Sequence, residues 1–147
     1  MAETLITVEA LTEPTAKDAE AMARLVPHLS ACRPPDLGEL RDLVFSGSVT
    51  VFVARLGDEI VGTLSLATFA IPTGRRAWIE DVIVDPAHRG KGVASQLVEA
   101  ALRLAAETGC RTVDLTSRPS RAEANRLYAR LGFIRRETNV YRISLES

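Results

Sequence analysis

At 147 residues, with 46% hydrophobic and 25% charged side chains, the chain is long enough for one domain with a full core, and its composition excludes a collagen-like, low-complexity or natively disordered protein. A net charge of −1, from 18 basic and 19 acidic side chains, argues against a general nucleic-acid binder or a polybasic membrane-surface protein. No apolar run approaches the ~20 residues that cross a bilayer, the first twenty residues lack a basic leader and an apolar core, and Cys32 and Cys110 make neither a disulfide framework nor a metal set. A soluble cytoplasmic protein is therefore expected.

No internal repeat or linker interrupts the chain, so residues 1–147 read as a single domain. Residues 5–8 form a short strand-like run. Over residues 15–29, Ala19, Met22, Ala23, Leu25, Val26 and Leu29 recur at helical spacing, with Thr15 or Asp18 as the cap. Pro34-Pro35 breaks the chain, and Asp36 opens a second helix carrying Leu37, Leu40, Leu43 and Val44. After Ser46-Gly47 the period changes to two. Residues 49–54 read as a strand, Gly57-Asp58 as a hairpin turn and residues 60–71 as its partner. Pro72-Thr73-Gly74 makes another turn before a strand over residues 77–84. A helix over residues 92–108 follows, ended by Gly109. Residues 112–115 form a short strand, and residues 120–131 a helix stopped by Gly132. The tail, residues 133–145, reads as two short strands around Glu137-Thr138-Asn139. Three hairpin-linked strands and a βαβ crossover imply a mixed, mostly antiparallel α/β sheet of six to seven strands with helices on both faces.

Charge is uneven: residues 1–74 hold 5 basic and 10 acidic side chains, residues 75–147 hold 13 and 9. The basic half fits an anionic ligand or solvated helix faces. Within it, Asp85-Pro86-Ala87-His88-Arg89-Gly90-Lys91-Gly92-Val93-Ala94 links a strand to a long helix through two glycines. Glycine permits positive φ and leaves N–H groups uncovered, and a helix start adds unpaired donors, so the combination suits a phosphate. A P-loop would need Ser or Thr after Gly-Lys, where Gly92 stands. A dinucleotide loop would need glycine at Ser95, and the antiparallel strands upstream do not belong to that fold. A Gly-rich loop without a ligand is the bland alternative.

Arg89-x-x-Gly92-x-Ala94 resembles the Gln/Arg-x-x-Gly-x-Gly/Ala loop of the GCN5-related N-acetyltransferase (GNAT) superfamily. Asn125-Arg-Leu-Tyr128-Ala-Arg-Leu-Gly132-Phe133 is similar to that family's second signature, and the interval and order of elements match over nearly the whole chain. The resemblance implies a sheet with a central splay flanked by four helices, and acetyl-CoA as donor with no metal. It implies that the backbone of Arg89, Gly90, Lys91, Gly92, Val93, Ala94 and Ser95 holds the pyrophosphate. Val82, Ile83 and Val84 would pair with the pantetheine arm through their main chain, and Asn125 would hydrogen-bond it.

The chemistry requires a base for an ammonium and an acid for the departing thiolate. Tyr128 matches the family's frequent acid; its other reading is a core tyrosine beside Leu127 and Leu131. Glu80 is the preferred base, directly or through a water, on a face with Trp78 and Val82. Asp81, on the face of Ile79 and Ile83, is the other candidate, or an anchor for a cationic acceptor. Arg118 and Arg121 could reach an acceptor or the CoA 3′-phosphate, or lie in a solvated loop. His28 and His88 lack partners at ligand spacing, and the two cysteines read as buried or half-buried apolar residues. The expected function is direct acetyl transfer in a ternary complex to a small cationic amine, without nucleic acid or membrane, and a homodimer would fit the superfamily. A non-catalytic acyl-CoA sensor and a protein acetyltransferase remain as alternatives.

Overall fold

The first helix begins where the sequence supplies its own cap. In the computed structural model, which describes residues 5–146, α1 (Ala16–Leu25) starts at Thr15 with a reciprocal capping box to Asp18, so both expected caps act together. Asp18, Ala21, Met22 and Leu25 are its buried stripe. A 3-10 turn, Val26–His28, follows. Helix α2 (Leu37–Phe45) repeats the device with Asp36 and Glu39, and Arg33 grips both oxygens of Glu39.

Strands β1 (Ile6–Ala10), β2 (Val49–Leu56), β3 (Glu59–Ile71), β4 (Gly74–Val84) and β5 (Thr112–Asp114) form one sheet in that order. The first four pair antiparallel and β5 runs parallel to β4. Helix α3 (Val93–Glu107) supplies the crossover, and α4 (Ala122–Arg130) completes the set of four helices expected. The chain gathers into two compact units, one ending at Thr116 and one beginning at Ser117.

Cross-strand partners share a face, and this sorts the larger unit into two layers. Val53, Thr63 and Ile83 are in register, and Val53 and Ile83 join Leu11, Met22, Leu25 and Leu40 in the core beneath α1 and α2. One residue away, Ala54, Gly62 and Val84 are in register on the opposite face. A Cβ at Gly62 would stand 2.8 Å from Val93 Cγ1, 3.2 Å from Leu97 Cδ1 and 3.1 Å from the Ile83 carbonyl. α3 therefore lies on that second face, seated in a notch that only glycine leaves open.

The strand count differs from expectation. Five strands form among the described residues, not six or seven, because residues 133–146 enter no ladder. Ile134, Val140, Tyr141, Ile143 and Leu145 are exposed. Their alternation marks which side chains a strand would bury, but a strand also needs a neighbouring edge for its N–H and C=O groups. Among the described residues the splay lies between β4 and β5, the last strand of the sheet. Cys110 is half-buried as expected, whereas Cys32 is exposed. No helix among the described residues is long and apolar enough to cross a membrane.

Candidate active site

β4 carries the site's first part. Its pairing with β5 covers only Arg76, Ala77 and Trp78, so residues 79–84 continue with no ladder partner on that side among the described residues. This is the splay, and it leaves the backbone of Val82, Ile83 and Val84 with an open edge. On the other side, β4 stays paired with β3 through a bulge: Thr63 faces Ile83 and Ser65 faces Glu80, so Asp81 and Val82 together oppose Leu64. Asp81 takes φ 51°, the one positive φ at a non-glycine among the described residues.

The bulge corrects the expected alternation. Ile79 is in register with Leu66, on the α3 face, and Ile83 with Thr63, on the α1 and α2 face. They do not share a face, because the extra residue resets the period between them. Trp78 and Glu80 lie two residues apart before the bulge and do share one. The Trp78 indole N–H donates to Glu80 Oε1 at 2.7 Å. Glu80 and Asp81 are both exposed.

The loop beyond β4 begins with a 3-10 turn, Pro86–His88, whose Ala87 N–H is accepted by Asp85 Oδ1 at 2.9 Å. Gly90 and Gly92 take φ 79° and 77°, the left-handed conformation the sequence anticipates. Gly92 is the cap of α3 and provides no side-chain acceptor. The first intrahelical bond is Gln96 N–H to the Gly92 carbonyl, so the preceding N–H groups of Val93, Ala94 and Ser95 have no helical partner. Val93 is buried in the Gly62 notch, Ala94 and Ser95 are half-buried, and Arg89, Gly90 and Lys91 are exposed. His88, expected to lack partners, lies with ligand atoms of Glu59 and Asp85 within 4.8 Å of one another. Lys91 Nζ also lies 3.3 Å from His88 Nδ1, a cation already in place.

The smaller unit carries the remaining two candidates. Asn125 and Tyr128 fall three residues apart on α4, hence on one helix face. Asn125 Nδ2 donates to the carbonyls of Arg118 and Arg121 at 2.9 and 2.8 Å, which ties down the turn before α4 and leaves Oδ1 as an acceptor. Tyr128 is buried and meets Phe133 edge-on at 5.8 Å. Burial pushes its phenol above 10.0, against a smaller opposing effect of the Arg121 charge.

Glu80, Val82, Ile83, Val84 and residues 89–95 thus lie on one continuous strand–loop–helix path, while Asn125 and Tyr128 share α4. Two contributors escaped the sequence reading. Gly62 is a glycine inside a strand pattern, a known sign of close approach, and Trp78 was noted only as a neighbour of Glu80 on its face.

An uncapped helix start behind a strand that sheds its neighbour is an α/β arrangement whose backbone N–H donors suit an anionic group. More narrowly, the chain belongs to the acetyltransferase (GNAT) family, which it matches over residues 18–133. It is 43% identical over 60 residues to N-alpha-acetyltransferase MAK3 of Arabidopsis thaliana, across 41% of this chain and 32% of that one. To N-acetyltransferase 8B of Rattus norvegicus it is 30% identical over 109 residues, across 72% of this chain and 49% of the relative. The chain therefore spans no more than about half the length of these curated relatives. A crystal structure of a Trypanosoma brucei acetyltransferase is similar with a TM-score of 0.80 at 26% identity, covering 95% of this chain and 99% of that one.

Proposed function

We propose that the chain transfers the acetyl group of acetyl-CoA directly to a primary amine of a small, cationic molecule. The observation that carries this is the open edge of β4 over residues 79–84 leading straight into unclaimed N–H groups at the start of α3. An extended amide-bearing arm ending in a pyrophosphate matches both: main-chain pairing for the arm at Val82, Ile83 and Val84, and N–H donors for the phosphates from Gly90 to Ser95. Acetyl-CoA supplies the activated thioester. Asn125 Oδ1 remains to accept from an amide of the arm.

Glu80 takes a proton from the acceptor ammonium, directly or through a water, and frees the nitrogen lone pair for attack. Tyr128 gives its proton to the departing thiolate; burial keeps that phenol protonated across the neutral range. The acidic half of the chain, together with Glu80 and Asp81, supports a cationic acceptor. Tyr141, Ile143 and Leu145 alternate and are exposed, which keeps two further strands over residues 133–145 part of this reading. A cytoplasmic location and a homodimer belong to it as well.

The test is acetyl-CoA-dependent release of free thiol over polyamines, arylalkylamines, amino sugars, aminoglycosides, amino acids and peptides. A saturable hit is expected, with Tyr128→Phe lowering kcat by about a hundredfold and leaving the acetyl-CoA KM unchanged. Because the phenol is raised, the wild-type alkaline loss should come only above about pH 10. Turnover of peptide amines alone would favour the protein-acetylating reading, which the likeness to an N-alpha-acetyltransferase supports. Silence across the panel, with acetyl-CoA still raising the melting temperature, would favour a sensor.

A further inference from the structure

Three carboxylates of the larger unit meet an arginine. Among the described residues the ion pairs are Arg33 with Glu39, and Arg55 with Glu9 and Asp18. Glu80 is in none of them. Its partner is the indole N–H of Trp78, a neutral donor that cannot accept. An arginine in that position would cancel the carboxylate's charge; an indole fixes its direction and leaves the charge whole. One oxygen is held at 2.7 Å and Oε2 keeps its lone pairs for a ligand.

A second aromatic side chain shares the face of this pair. Trp78 is in register with Ala67, and Phe69, 41% exposed, is in register with Arg76. Phe69 is therefore the diagonal neighbour of Trp78 on the same face, a spacing of about 7–8 Å that aromatic side chains bridge. Trp78 is half-exposed, so its ring is available to a ligand. A fixed carboxylate beside an indole, with a phenyl ring further along the same face, is complementary to an ammonium on a flat or apolar stem, through charge at one end and cation–π and apolar contact along the other.

We propose that Trp78 is a positioning residue that clamps Glu80, and that the Trp78–Glu80 pair with Phe69 selects acceptors in which a primary ammonium is carried on an aromatic or apolar stem. This rests on the reading of Glu80 as the base. Anionic amino-sugar phosphates fit poorly, because the clamped carboxylate would repel them.

The chain contains a single tryptophan, so emission excited at the red edge of the indole band, where tyrosine does not absorb, reports this residue alone. Titration of the full chain with phenethylamine should change that emission saturably. In Glu80→Gln the half-saturation should rise at least about tenfold, the loss of roughly 1.4 kcal/mol of charge attraction. Glucosamine 6-phosphate should leave the emission unchanged. No response to phenethylamine, or an equal response to the phosphosugar, overturns the acceptor class. Trp78→Phe keeps a ring and removes the N–H; with the best amine of the panel it should lower kcat about tenfold while the acceptor KM moves less than about threefold. Unchanged kcat in Trp78→Phe with an inactive Glu80→Gln overturns the clamp alone. Unchanged kcat in Glu80→Gln overturns the base assignment beneath it.

Discussion

At the start of α1, Thr15 Oγ1 accepts from the Asp18 N–H at 3.3 Å, Asp18 Oδ2 accepts from the Thr15 N–H at 2.9 Å, and Arg55 holds Asp18 Oδ1 at 3.2 Å. At the start of α3, Gly92 has no side chain to do any of this, and the helix is held from below by Val93 in the Gly62 notch. Both are helix beginnings with the same orphan donors. One engages the Asp18 N–H with its own cap side chain and buries Asp18; the other has no side-chain cap and is seated by packing. The difference separates donors engaged by the fold from donors that the proposed function assigns to a phosphate.

The comparison breaks most severely at the notch. Gly62→Ala drives a methyl against Val93 and the Ile83 carbonyl, and should destabilise by about 2–3 kcal/mol in urea unfolding while raising the acetyl-CoA KM. A loss below about 0.5 kcal/mol would mean that α3 is seated some other way. Asp18→Ala removes the carboxylate that accepts from the Thr15 N–H in the α1 capping box and one of the two carboxylates on Arg55, at about 2 kcal/mol, and should leave the acetyl-CoA KM untouched. Ser95→Glu gives α3 the acid that α1 already has. An acid in the first turn suits the helix dipole, so the melting temperature should hold or rise. The same charge opposes a pyrophosphate, so the acetyl-CoA KM should rise about tenfold; an unchanged KM would remove the loop from the donor site.

The smallest effect concerns α2. The hydrogen bond from Arg33, followed by the Asp36 backbone N–H, holds the Glu39 carboxyl down to about 2. A folded-state value below the unfolded one means a contribution that is complete above about pH 4.3 and fades as pH falls toward 2. The pair is solvent-exposed, so the change should be slight. Melting curves of wild type and Glu39→Gln, compared between pH 5 and 2, should converge at the acidic end.

The capping boxes and the two loop glycines were legible because each is a local device: Thr15, Asp18 and Asp36 act on donors three residues away, and Gly90 and Gly92 on their own φ. The bulge at Asp81 was not legible, since period-two reasoning carries one register along the strand and a single extra residue resets it. Residues 133–146 enter no ladder for a related reason: alternation marks the side chains a strand would bury without supplying the edge it pairs with. The Trp78–Glu80 bond lay between these cases. Their shared face followed from spacing, whereas the contact depends on rotamers that spacing does not determine.

The half-paired β4 also keeps two clocks. Along its β3 side, amide hydrogens are locked in a ladder that runs almost the full strand, and they escape to solvent only when the sheet opens. Along its β5 side the locking ends at Trp78. Beyond that point, neighbouring amides of one strand live on different timescales, the inward ones slow and the outward ones fast. Whatever occupies the open edge acts first by slowing the faster of the two.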